Sequence, residues 1–96
     1  MLIAVHFEFD PKDMDKVLEK VDKIREIIKK NPDDFPKFVT PDYIYNGETR
    51  GFAVVEVEKP EQLMNIARYY MPEKKYTCKQ VITGKIAREI WKKQVR

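Results

Sequence analysis

An α+β domain with the element order β-α-β-β-α-β is what this sequence predicts, and three observations carry that prediction. Leu2 to Phe9 alternates with the period of two that a strand imposes. The next segment switches to helical spacing, with Met14, Val17, Leu18, Val21, Ile24, Ile27 and Ile28 in one stripe. Farther on, Asn46-Gly47 separates two strand-like runs, a hairpin signal because both residues tolerate positive φ.

In the first strand Ile3, Val5, Phe7 and Phe9 share a wholly apolar face, whereas Leu2, Ala4, His6 and Glu8 share one that is apolar only at its start. Asp10 then serves as a helix N-cap with Pro11 at the first helical position, and Asp13 and Asp15 complement the positive end of the helix dipole. Lys29 and Lys30 suit the opposite end. Asn31-Pro32 stops the helix, because the residue before proline disfavours helical geometry. Residues 31–37 read as a loop, and Phe38 to Tyr45 reads as a strand that Pro41 interrupts, which makes it an edge or bulged strand.

Gly51 to Glu58 forms the returning strand, with Ala53, Val55 and Val57 opposite Phe52, Val54, Glu56 and Glu58. Pro60 opens a second helix whose stripe is Leu63, Ile66, Ala67 and Tyr70, and Pro72 ends it. A last strand, Tyr76 to Thr83, sets Tyr76, Cys78, Gln80 and Ile82 against Thr77, Lys79, Val81 and Thr83. Gly84 breaks it, and Ile86, Ala87, Ile90 and Trp91 mark a short, basic C-terminal helix with an apolar side.

This order is the split ferredoxin-like arrangement: a four-stranded antiparallel sheet, two helices on one face, and a short C-terminal helix. A chain of 96 residues supports one core, so residues 1–96 form a single domain. Placing Ile3, Val5, Phe7, Phe9, Ala53, Val55 and Val57 under the helices leaves Leu2, Ala4, His6, Phe52, Val54 and Glu56 on an open face. Apolar surface of that kind marks an interface or groove, and a second copy of the chain is the expected cover.

Composition narrows the setting. Charged residues make up 36% of the chain, above the usual ~25%, and enrichment in Lys and Glu suits a thermophile's surface. The single cysteine allows no intrachain disulfide and the N-terminus lacks a secretory pattern, so a cytoplasmic location is expected. No uninterrupted apolar stretch approaches the ~18 residues of a membrane helix, and no membrane partner is expected. Charge is uneven. Residues 1–73 carry 11 basic and 15 acidic side chains, a net −4, while residues 74–96 carry 8 and 1, a net +7. A solvated helix face explains the basic end more simply than an anionic partner does.

Several motifs dissolve on inspection. Arg50-Gly51-Phe52-Ala53 resembles the start of the longer RNA-binding motif of RNA-recognition-motif domains, yet Val54 and Val57 stand where aromatics are needed and the first-strand stacking position is Ala4. Gly84-Lys85 lacks the remainder of a phosphate loop, since Lys79 and Ile86 occupy its other key positions. Asp10, Asp13 and Asp15 cap a helix better than they bind calcium. One histidine and one cysteine make a poor transition-metal set, so no metal and no cofactor are expected, a His6, Glu56, Cys78 triad being the one conceivable arrangement.

His6 is the leading candidate for chemistry, because only its side chain titrates near neutrality without perturbation. Glu56 on the neighbouring strand would complete an acid-base pair. Tyr43, Tyr45 and Tyr76 are candidate ligand-orienting hydroxyls, with Phe52 and Cys78 lining the same pocket. A hydrogen-bonded interface histidine and a small buried cysteine are the plainer roles for His6 and Cys78.

The strand Leu2 to Phe9, followed directly by Asp10-Pro11-Lys12-Asp13 and a long helix, resembles the start of short proteins of the dimeric α+β barrel superfamily. Within it, the chain is most similar to a small prokaryotic family of uncharacterised function. The resemblance implies a homodimer whose sheets face each other around a cavity, able to hold a small, partly apolar ligand. Relatives with that fold include lactone isomerases, cofactor-free monooxygenases and ligand-binding regulatory domains, so isomerase or monooxygenase chemistry at His6 is one expectation. RNA or single-stranded nucleic-acid binding through the basic segment Lys74 to Arg96 is another.

Overall fold

The computed structural model describes residues 1–94. It is an α+β fold: a five-stranded antiparallel sheet with three α-helices, in the order β1 (Leu2–Phe9), α1 (Met14–Lys30), β2 (Lys37–Phe38), β3 (Tyr43–Ile44), β4 (Arg50–Glu56), α2 (Pro60–Tyr70), β5 (Lys74–Val81) and α3 (Gly84–Gln94). Val95 and Arg96, the end of the basic segment, lie outside the described residues.

The sheet runs β2-β4-β1-β5, and β3 also pairs with β4. The expected four strands become five because the segment 38–45 breaks in two around Pro41. Proline has no N–H to place in a ladder. The chain bulges instead: the Val39 and Thr40 N–H groups both donate to the Val54 carbonyl, and the Thr40 hydroxyl accepts from the Val54 N–H at 2.9 Å. The hairpin turn forms at Asn46-Gly47, where the Glu48 N–H donates to the Tyr45 carbonyl. Only Gly47 takes positive φ, at +83°, so Asn46 does not need the left-handed tolerance that its type suggested. Gly51 is required for a different reason: a Cβ there would lie 1.9 Å from the Tyr43 carbonyl oxygen.

The predicted division of the sheet into two faces is observed. Ile3, Val5, Phe7, Ala53, Val55 and Val57 are buried beneath the helices. Leu63 of α2 packs on Ile3, Val5, Val55 and Val57, while Ile24 of α1 meets Phe35, Ile66 and Tyr70. Of the α1 stripe, Val17 and Ile24 are buried, whereas Leu18 and Met14 stay exposed. Asp10 caps its helix as expected, its carboxylate accepting from the Lys12 N–H at 3.0 Å, although the first turn is a tighter 3-10 turn over Pro11–Asp13. Asn31 closes α1 by returning its side-chain amide to the Ile27 carbonyl at 3.2 Å. No helix among the described residues is long and apolar enough to cross a membrane.

The last strand starts two residues earlier than expected, at Lys74, and the fourth ends at Glu56 rather than Glu58. Lys74 is the reason. It is only 4% exposed, its ammonium 4.1 Å from the ring centroids of both Phe7 and Tyr70 and 5.6 Å from that of Tyr76. A lysine in a strand reads as a solvent-facing residue, but here its stem belongs to the core and three aromatic faces stand in for water.

Candidate functional site

Strand register arranges the open face of the sheet in rows. Glu56, Leu2 and Val81 form the first; Val54, Ala4 and Lys79 the second; Phe52, His6 and Thr77 the third; Arg50, Glu8 and Lys75 the fourth. Apart from Glu56 and Lys79 the first two rows are apolar, the third is aromatic on β4 and β1, and the fourth is charged. Tyr43 joins the third row from β3, opposite Phe52.

Phe52 is the centre of an aromatic cluster. Tyr43 lies 5.5 Å from its ring centroid, Tyr45 6.0 Å and His6 6.1 Å, all in tilted geometry. Such pairs prefer offset or tilted contacts, and each adds about 0.5–1.5 kcal/mol beyond its buried area. Three elements place them: β1 carries His6, β4 carries Phe52, and the short β3 with the hairpin turn carries the two tyrosines. Tyr43 and Tyr45 are about half exposed, so the cluster is a shelf rather than a core.

Beside this shelf is a cleft of about 450 Å³ lined by His6, Glu8, Tyr45, Arg50, Thr77 and Lys79, among others. Arg50 donates to Glu48 at 2.7 Å and lies 5.8 Å from the Tyr45 ring centroid. Its hydrogen bond to Glu48 holds the guanidinium in its charged form more firmly still. Lys75 and Lys79 supply further cations on β5. A planar group against the Tyr45 ring in this cleft would thus meet the His6 imidazole, with the cations Arg50, Lys75 and Lys79 and the carboxylates Glu8 and Glu48 around it.

The register brings some of the expected residues together and separates others. His6, Tyr43, Tyr45 and Phe52 are one group. Glu56 is not beside His6: it pairs with Leu2, four residues along β4 from Phe52, roughly 13 Å at the usual strand rise. Its carboxylate instead accepts from the Met1 amino group at 2.6 Å.

Tyr76 and Cys78 pair with Phe7 and Val5, which puts them on the helix-covered side. Tyr76 is packed against Tyr70 and Phe7, and burial pushes both tyrosine hydroxyls well above their ordinary range. Cys78 is an exposed residue at the edge, not the buried apolar group its type suggested, yet enough of its sulfur is shielded for burial to push the thiol up. That is the wrong direction for a nucleophile. The His6, Glu56, Cys78 triad is consequently not assembled, and no group of three metal-ligating side chains occurs among the described residues.

Arg50, Lys75, Thr77 and Lys79 are cleft residues that residue type alone did not single out. The phase of β5 was the missing signal: neither of its faces is apolar, so only pairing with β1 reveals that Thr77 sits beside His6. No family model matches the chain, and no curated protein matches it by sequence.

Proposed function

We propose that the protein is a cytoplasmic homodimer of the dimeric α+β barrel type, in which two open sheet faces enclose a pocket for a small, partly apolar ligand. The observation that carries this reading is the gradation of the open face, with an apolar half suited to subunit contact adjoining an aromatic and cationic half suited to a ligand. A ferredoxin-like βαββαβ arrangement is part of the reading. It is supported by β2 and β3, which both pair with β4 and count as one broken edge strand. The ligand rests a planar group on Phe52 and Tyr45 and directs polar substituents to His6 and Arg50.

Two measurements test this. Sedimentation equilibrium gives a dimer; a monomer at micromolar concentrations refutes the barrel. Native mass spectrometry of the freshly purified protein, followed by proton NMR with a panel of small aromatic acids, shows shifts confined to His6, Phe52, Tyr43 and Tyr45. A panel that moves no signal of that cluster refutes the pocket. If the pocket is catalytic in the manner of an isomerase or cofactor-free monooxygenase, His6→Ala abolishes turnover while ligand binding persists.

A second reading draws on the same cluster. Tyr43 and Tyr45 supply the stacking surface that the sequence motif lacked, beside Lys75 and Lys79, and base–aromatic stacking contributes about 1–3 kcal/mol per base. Single-stranded RNA would then bind tightly at low salt and weaken steeply as salt rises. No binding at low salt removes this reading.

A further inference from the structure

Gln62 and Lys74 are the buried polar side chains among the described residues, and they are satisfied very differently. Gln62 is bonded at both ends: its carbonyl accepts from the Glu58 and Lys59 N–H groups at 2.8 and 3.1 Å, and its amide donates to the Asp33 carbonyl at 3.0 Å. Lys74 has neither a hydrogen bond nor an ion pair among the described residues, and the carboxylate next to it in sequence, Glu73, is taken by Lys20 at 2.8 Å. A buried ammonium without a partner is expensive, and an apolar side chain of similar length would fill the same box without that cost. Packing therefore does not account for the amine.

The amine is also not sealed. Every fully sealed side-chain nitrogen or oxygen among the described residues has a hydrogen-bond partner, so the Lys74 Nζ, which has none, faces open space. That space is a cavity of about 20 Å³ walled by Phe7, Phe38, Tyr70 and Tyr76, with room for a molecule little larger than water. Asp42 joins the lining from the broken edge strand, where it is exposed and marks the side open to solvent.

Three requirements of imine formation meet at this point. Burial lowers the pKa of the amine, against the opposing pull of Asp42, which favours the unprotonated, nucleophilic form. The rings of Phe7 and Tyr70, 4.1 Å from Nζ, suit the cation that develops as water is lost. Asp42 is a carboxylate in the same cavity and can carry protons. We propose that Lys74 is a nucleophilic amine that condenses with a one- or two-carbon aldehyde in this cavity, with Asp42 as the proton carrier.

The amine lone pair forms the C–N bond as the carbonyl π pair passes to oxygen, and Asp42 relays one amine proton to that oxygen. Asp42, protonated again from solvent, then gives a proton to the hydroxyl; the C–O bond breaks, water leaves, and an iminium remains between the rings. In sum, amine, aldehyde and one proton give iminium and water, with no oxidant or reductant. The site lies on the helix-covered side of the sheet, so it stands or falls independently of the homodimer and its cleft.

Formaldehyde is the probe, with cyanoborohydride to reduce the iminium to a methylamine that mass spectrometry assigns to one lysine. Lys75 is the internal comparison, one residue away and exposed. On the folded protein at neutral pH and limiting formaldehyde, Lys74 should be methylated at least about 10-fold faster than Lys75, and the preference should vanish in urea. Asp42→Asn should slow labelling of Lys74 and leave that of Lys75 unchanged, and benzaldehyde, too large for the cavity, should label Lys75 alone. Lys74 labelled no faster than Lys75, or last of all as a lysine held only for packing would be, overturns the proposal. An Asp42→Asn variant that labels at the parent's rate overturns the part given to Asp42, and benzaldehyde labelling both lysines equally overturns the size limit.

Discussion

Gly51→Ala is the sharpest test of how the aromatic shelf is held. The added Cβ would lie 1.9 Å from the Tyr43 carbonyl oxygen, 2.9 Å from its carbon and 3.0 Å from the Ile44 Cα, against an ordinary contact of 3.4–4 Å. All three opposing atoms are backbone, so no side chain can swing aside and β3 must withdraw by more than 1 Å. Withdrawal breaks the two-residue pairing of Tyr43 and Ile44 with β4, costing about 1 kcal/mol for each backbone hydrogen bond lost. It also pulls Tyr43 away from Phe52, worth about another 0.5–1.5 kcal/mol.

The total loss is therefore about 2–4 kcal/mol. At a urea slope near 1–2 kcal/mol per molar for a domain of this size, the midpoint falls by roughly 1–4 M. Gly47→Ala provides the contrast, since nothing lies within 4 Å of its Cβ and only the positive φ opposes it, at about 1 kcal/mol. Urea unfolding followed by circular dichroism measures both. A Gly51→Ala variant within about 0.5 kcal/mol of the parent would refute the close approach and the role assigned to β3.

Three further outcomes follow from buried groups. Burial lowers the pKa of Lys74, so below its folded value the charged form costs stability, and stability rises with pH from that value towards the unfolded lysine value of about 10.4. Tyr70 and Tyr76 act in the opposite sense: burial raises their pKa, so the stability they contribute is full below about pH 10 and is lost above it. Urea midpoints should climb as pH approaches about 10 and then fall, and a profile flat on both sides would contradict both. Lys74→Met removes the climb, keeps the fall and adds about 1–2 kcal/mol near neutrality, the gain from removing a buried charge less its contacts with the rings. Phe35→Ala, in a loop but buried against Ile24, Ile66 and Tyr70, should cost about 3–4 kcal/mol by thermal or urea unfolding; a loss under 1 kcal/mol would show that the loop is not part of the core.

Legibility in the sequence followed how local the determining physics was. Leu2–Phe9 could be bounded to the residue because its apolar face is complete and Asp10-Pro11 ends it abruptly. The first helix and both faces of β4 were equally plain, since period and burial agree there. β5 was not, because its alternation puts lysine and threonine against tyrosine and cysteine and gives no apolar phase; its assignment depends on Phe7 meeting Tyr76 across the sheet. Lys74 was illegible for a related reason, its box being assembled from residues at 7, 70 and 76. At the candidate site, His6 and Phe52 were placed correctly on the open face by alternation alone. The distance from His6 to Glu56 was not, because no hairpin joins β1 to β4, and a strand's own alternation tells which face a residue takes but not which residue stands opposite it.

The broken edge strand also bears on what this sheet refuses to do. An unpaired rim invites other chains to add strands, and long flat rims are where edge-to-edge growth begins. Here one rim is cut into two-residue pieces about Pro41, too short to template a ladder. The opposite rim, β5, alternates exposed Lys75, Thr77 and Lys79, whose ammonium groups penalise an approaching strand. With both rims blunted, the sheet resists the strand-by-strand addition from which open-ended fibres grow.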